Sequence, residues 1–128
     1  MALDPSTTKP EVDFPGEVAP TDLVIEDLKA GEGVEAKVGD TISAHYVGVA
    51  HSTGEEFDAS WNRGAPLDFR LGVGQVIKGW DDGIVGMKVG GRRKLTIPAD
   101  LAYGDRGAGG AIKPGETLIF VVDMVDAR

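Results

Sequence analysis

Cysteine is missing altogether from this chain of 128 residues. Disulfides, thiolate metal sites and thiol nucleophiles go with it, so stability has to come from packing alone. Basic residues are scarce: 13 Lys and Arg stand against 21 Asp and Glu, a formal charge of −8. That balance argues against duplex nucleic acid and anionic membrane as main partners, because phosphate-rich surfaces are bound by clustered Lys and Arg that release counterions. No stretch approaches the roughly 20 apolar residues of a membrane span, and the first twenty residues lack the apolar run of a signal peptide. The expectation is a cytoplasmic soluble protein. No internal repeat is found.

The usual constellations of enzyme chemistry are also missing. Gly74 and Gly79 are spaced like a phosphate loop, but Trp80 stands where a Lys must reach the phosphates. Gly72-Val73-Gly74 has Ile77 where a dinucleotide fingerprint needs its third glycine. His45 and His51 lie six apart across a strand and turn and read as solvated strand residues; without Cys, a metal site would have to borrow carboxylates, and none is expected. Ser6, Ser43, Ser52 and Ser60 have no nucleophile-elbow context and no evident base. Glu55-Glu56, in a hairpin-like turn beside Gly54, and Asp81-Asp82, on the polar side of a helix, read as solvated surface. Arg92-Arg93-Lys94 is the one basic run, and it reads as the wet side of a strand.

With hydrophobic residues at 41%, a core is within reach, since a domain of this size buries roughly two-thirds of its unfolded surface. Residues 1–20 carry Pro5, Pro10, Pro15 and Pro20 among acids and read as a flexible, solvated, acidic tail. Residues 21–128 form the folded domain. There, short apolar runs are broken by glycine, the punctuation of a mostly antiparallel β-protein. Period-two alternation and β-branched residues predict strands over Leu23–Leu28, Thr41–Ala50, Leu67–Leu71, Arg92–Ile97 and Thr117–Val125. In the last, Leu118, Phe120, Val122 and Met124 point one way and Ile119, Val121 and Val125 the other, which predicts a central strand. Val76, Ile77, Trp80 and Ile84 share one stripe of a short helix ended by Gly86, about three turns at most. The implied class is α+β: a five-stranded, twisted antiparallel sheet wrapped around one short helix.

Tyr46, Phe57, Trp80, Tyr103 and Phe120 fall at separate positions that a curled sheet could bring together. Scattered aromatics usually just pack, so an ordinary core is one reading. A ligand cleft is the other, on two features. Asp58 follows Phe57 with Arg63 five further on, a charged pair that could line an apolar cleft with the Tyr46 hydroxyl as partner. The glycine-rich segment Tyr103–Gly115 is long for a connection and holds Ile112 amid small residues, like a flap over a pocket.

Eight short motifs stand in one order: His45-Tyr46-Val47-Gly48, Phe57-Asp58-Ala59-Ser60, Leu71-Gly72, Val76-Ile77-Lys78-Gly79-Trp80, Met87-Lys88-Val89-Gly90, Leu95-Thr96-Ile97-Pro98, Leu101-Ala102-Tyr103-Gly104 and Leu118-Ile119-Phe120. In these, nearly all of residues 22–128 resembles the FKBP-type peptidyl-prolyl cis-trans isomerases, the immunophilins that bind tacrolimus and rapamycin. The resemblance implies the same fold and a cofactor-free isomerase acting on proline-containing polypeptides; no long apolar patch forces a dimer, so a monomer is expected. Carried over, it makes Trp80 the pocket floor, Tyr46, Phe57 and Phe120 its walls, and Val76 and Ile77 one rim. Asp58 would accept from Tyr46 and pair with Arg63, keeping a carboxylate inside the apolar bowl; the Tyr103 hydroxyl and the Ile77 N–H would meet a ligand carbonyl, and Ile112 would cap the site. Leu67 replaces a common aromatic, Gln75 an acid, and Ala108 and Ala111 larger flap residues, which makes the flap side roomier for macrolides. No long insertion interrupts the flap, so an appended chaperone subdomain is not expected. A module that holds proline segments without turning them over is the alternative function.

Overall fold

Period-two alternation places the long strands. The computed structural model describes residues 9, 10, 12, 19–107 and 112–128. Along them run β1 (Val24–Lys29), β2 (Thr41–Ala50), β3 (Glu56–Ala59), β4 (Leu67–Arg70), the helix α1 (Lys78–Gly83), β5 (Arg92–Ile97) and β6 (Leu118–Ala127). The sheet order is β1-β5-β6-β2-β3, every pair antiparallel. β4 pairs with the first four residues of β2, Thr41 to Ala44, and β3 with Val47 to Val49, so the two short strands share one side of β2. β3 is additional to the five expected strands. Its four residues, Glu56-Phe57-Asp58-Ala59, do alternate charged and apolar, but the run is too short to stand out, and the pairing with β2 holds it extended.

β6 lies between β5 and β2 and is buried on both faces from Leu118 to Met124, as its two apolar faces require. Val125 departs from that reading and is solvent-exposed. The register runs from Ser43↔Asp126 directly to Ala44↔Met124, so Val125 is the extra residue of a bulge and has no cross-strand partner to pack on.

One face of the sheet carries Ile42, Ala44 and Tyr46 of β2, Leu95 and Ile97 of β5 and Leu118, Phe120, Val122 and Met124 of β6, packed with Trp80 and Ile84 into the main core. The other face carries Val47, Val49, Ala59 and Ile119, with Val12 and Trp61 against them. Lys9, in the stretch expected to be a solvated tail, places Nζ 2.9 Å from Glu56 and donates to Asn62 at 3.0 Å.

α1 has six residues, two of them glycine and two aspartate, a composition that does not sustain a helix in isolation. Packing holds it. A Cβ at Gly79 would lie 2.5 Å from Ile97 Cγ2, and one at Gly83 would lie 2.9 Å from Leu95 Cδ2. The glycines therefore let the helix backbone rest on β5, which sets the depth at which Trp80 stands. The Asp81 carboxylate accepts the N–H groups of Gly72 (2.7 Å) and Gly74 (2.9 Å), tying the preceding turn to the helix.

Two expectations about polar residues are corrected here. The basic run is not a wet face: Arg92 pairs at 2.6 Å with Asp123, which has no exposed surface, and Arg93 holds Asp27 at 2.7 Å while donating to the Gly83 and Val85 carbonyls at and just beyond the end of α1. Cross-strand carboxylates and a helix end draw these guanidinium groups down onto the protein. His51 is buried, not solvated; its N–H bonds the Thr117 carbonyl where β2 turns away.

Candidate functional site

Between the inner face of the sheet and α1 lies a cleft of about 400 Å³, bounded by Tyr46, Phe57, Asp58, Leu67, Gly74, Gln75, Val76, Ile77, Trp80, Tyr103 and Phe120. Six sequence-distant segments meet there. β2 and β6 bring Tyr46 and Phe120 side by side, the short strand β3 swings in Phe57 and Asp58, and α1 presents Trp80 from below.

The rings are set edge to face. Trp80 meets Tyr46 at 5.0 Å and 78° and Phe120 at 5.2 Å and 84°, and Phe57 meets Phe120 at 5.5 Å and 89°. This arrangement puts the positive ring edges against the neighbouring π faces and leaves a rigid apolar wall. Trp80 is 3% exposed and its Nε1–H has no partner among the described residues. Such a buried donor costs stability, so the floor is held by packing against that penalty.

The polar part lies at the rim. The Tyr46 hydroxyl donates to Asp58 Oδ2 at 2.5 Å and accepts from Arg63 Nη2 at 2.9 Å, while Arg63 Nη1 reaches Asp58 Oδ1 at 2.8 Å. The predicted triad is therefore present. Asp58 lines the cleft, yet the pair is half-exposed, with Asp58 42% and Arg63 52% exposed, because β3 is an edge strand and Arg63 follows it in a turn of 3₁₀ helix. Burial is the largest single effect on the Asp58 carboxyl and opposes its ionisation, but the hydrogen bonds from Tyr46 and Arg63 together outweigh it and hold the group below its usual range. Burial, and then donation to Asp58, push the Tyr46 phenol up.

Of the other residues expected at the site, Leu67, Gln75, Val76, Ile77 and Tyr103 line the cleft. Gln75 is tied back, its Oε1 accepting the Arg70 N–H at 2.8 Å. Ile112 is buried in the same core cluster as Tyr46, Trp80 and Phe120 and is not among the residues bounding the cleft. Ala108 and Ala111 lie outside the described residues. Ile77 precedes α1, its carbonyl accepting from Trp80 and Asp81, and its own N–H has no acceptor among the described residues.

Two supporting residues escaped sequence reasoning. Phe69 of β4 packs on Trp80 at 5.5 Å; the alternation Leu67, Phe69, Leu71 was the signal that would have shown it. Ser60 is wholly buried and its Oγ takes the Tyr46 N–H at 2.7 Å and meets His45 Nδ1 at 2.9 Å. His45 in turn stacks on Trp61 at 4.1 Å, and burial lowers its pKa. No local pattern marks a serine that anchors another strand's backbone.

No group of three His, Cys, Asp or Glu side chains capable of holding a metal exists among the described residues. The cleft offers an apolar cup, hydrogen-bond donors at its edge and no activated nucleophile. The family model for FKBP-type peptidyl-prolyl cis-trans isomerases matches residues 32–125. The chain belongs to that family. It is 70% identical over 121 residues to an FK506-binding protein of Streptomyces anulatus, covering 94% of this chain and 98% of the relative. It is 50% identical over 95 residues to the peptidyl-prolyl cis-trans isomerase FPR2 of Saccharomyces cerevisiae, covering 74% and 70%. The crystal structure of AtFKBP13 superposes with a TM-score of 0.78 at 47% identity, over 87% of this chain and 97% of that one. No helix among the described residues is long and apolar enough to cross a membrane.

Proposed function

We propose that this cleft binds the proline ring of a polypeptide and catalyses rotation about the preceding peptide bond, as a cytoplasmic aid to folding. The observation that carries the reading is the cup itself: rings of Tyr46, Phe57, Trp80 and Phe120 set at near right angles around an open space the size of a small ring and its neighbours. The reaction needs neither nucleophile nor proton transfer. The barrier of about 18–20 kcal/mol comes from amide resonance, and a twisted amide has lost that resonance and its charge separation. An apolar site therefore disfavours the planar ground state relative to the twisted one, an effect water does not provide. Donors placed for the rotated carbonyl add differential binding of the transition state; the Ile77 N–H and the Tyr103 hydroxyl, both at the cleft edge, take that role. Lowering the barrier by about 7 kcal/mol accelerates rotation roughly 10⁵-fold.

The same cup would accept tacrolimus and rapamycin, with Leu67, Gln75, Val76 and Ile77 lining one side. The test is the cis–trans relaxation of a short Leu-Pro peptide with and without catalytic amounts of the chain. A rate that grows in proportion to protein and falls on adding rapamycin is expected. An unchanged rate with saturable rapamycin binding would leave a proline-binding module, and the absence of both acceleration and binding would refute the reading.

A further inference from the structure

We propose that Gly48 is a specificity-determining position of the cleft: its bare backbone is the seat on which the Phe57 ring lies, and that seat sets how wide the proline-binding space stands. The inference rests on the function proposed above and adds a residue that is not among those lining the cleft.

Along β2, Tyr46, Gly48 and Ala50 point to the same face by alternation. Gly48 pairs with Asp58 on one side and Phe120 on the other, so it sits beneath the meeting point of Phe57 and Phe120. A Cβ built there would lie 2.6 Å from Phe57 Cζ and 2.7 Å from Phe120 Cε1, far inside the roughly 3.5–4.0 Å at which carbon atoms pack. Gly48 does not have a positive φ, so no turn demands a glycine at this position. A glycine inside a strand weakens it. Space for the two rings is what the residue provides.

Only one of the rings can give way. Phe120 is 4% exposed and hemmed in by Tyr46 and Trp80. Phe57 is half-buried and forms a partition: it lines both the cleft and a second hollow of about 240 Å³ that runs over Ala50 towards Lys113 and Glu116. With open space on either side, Phe57 is the ring a methyl group at position 48 would lift. Its displacement changes the width of the cup before any substrate arrives.

Full-length Gly48→Ala should raise KM for a Leu-Pro peptide about tenfold, the scale of an overpacked contact, with kcat changed less than about threefold. In a Phe57→Leu background, which removes Cζ and gives Phe120 room to tilt, the same change should raise KM by about twofold or less. In the unliganded Gly48→Ala protein the Phe57 ring-proton NMR resonances should move. An unchanged KM, an equal penalty in both backgrounds, or unmoved Phe57 resonances would each overturn the inference. Should Gly48→Ala fail to fold by urea titration, a folded Gly48→Ala/Phe57→Leu double variant would support the seat, and failure of both would refute it. A parent protein without isomerase activity would sink the proposed function alone, leaving the ring resonances to decide the role of Gly48.

Discussion

Removing the indole of Trp80 tests the floor of the site and its energetics together. Truncating a buried Trp to Ala costs about 3–5 kcal/mol of folding stability through lost transfer energy and the cavity left behind. Trp80 fits that class: it is almost fully buried and touches Tyr46, Phe69 and Phe120 ring to ring. It also buries an Nε1–H with no acceptor among the described residues, and shedding such a donor returns about 1–3 kcal/mol. Trp80→Ala should therefore lose about 2 kcal/mol net, and Trp80→Phe, which keeps most of the ring contacts and sheds the donor, should stay within about 1 kcal/mol of the parent. Urea unfolding followed by far-UV circular dichroism reads both values, and the peptide relaxation assay reads activity on the folded fraction. Folded Trp80→Ala should lose most turnover. Parent-level activity would show that the indole is not the floor, and a loss beyond about 3 kcal/mol in Trp80→Phe would show that its N–H is bonded after all.

Asp58→Asn leaves the shape of the rim but removes its charge. Because the folded carboxyl sits below its unfolded pKa, its stabilisation is present above the unfolded value and is lost as pH falls through the depressed one. The parent should exceed the variant by less than about 1 kcal/mol at pH 7, given the exposure of the pair, with the gap closing below about pH 4. A gap that persists at pH 2 would refute the assignment. Ser60→Ala strips the acceptor from the buried Tyr46 N–H and should cost about 1–3 kcal/mol in urea unfolding; a neutral result would mean that N–H finds another acceptor. Asp123→Ala leaves the Arg92 guanidinium buried beside an empty place and should cost about 3–5 kcal/mol, whereas a cost under about 1 kcal/mol would show that the pair is solvated.

The long strands were legible because their information is local: β2 and β5 begin and end where alternation puts them, whereas the helix is shorter than the stripe predicted, starting after Val76 and Ile77 and ending at Gly83, before Ile84 and Gly86. The aromatic set was legible as residues, and ten of the fourteen positions expected at the site line one cleft. Ile112 was legible as an apolar residue, but a residue amid glycines gives no local sign that it joins the core cluster of the rings. β3 was missed because its charged-apolar alternation lasts only four residues, too short a signal without the pairing to β2. The basic run and His51 were misread for the same reason: the solvation of the arginines depends on Asp123, Asp27 and the end of α1, and His51 lies against the start of β6 at Thr117, contacts that only the fold makes.

By itself the sequence determined the class of fold, the central place of β6 and the identity of the rings, because period-two patterning and turn glycines act over a few residues. Tertiary structure decided where the charges lie, which residue bulges out of β6, and how the rings lean on one another. Those outcomes depend on distances between strands that meet only after folding: Gly48 matters because Phe57 and Phe120 close over it, and Asp58 is half-exposed because its strand is the last in the sheet.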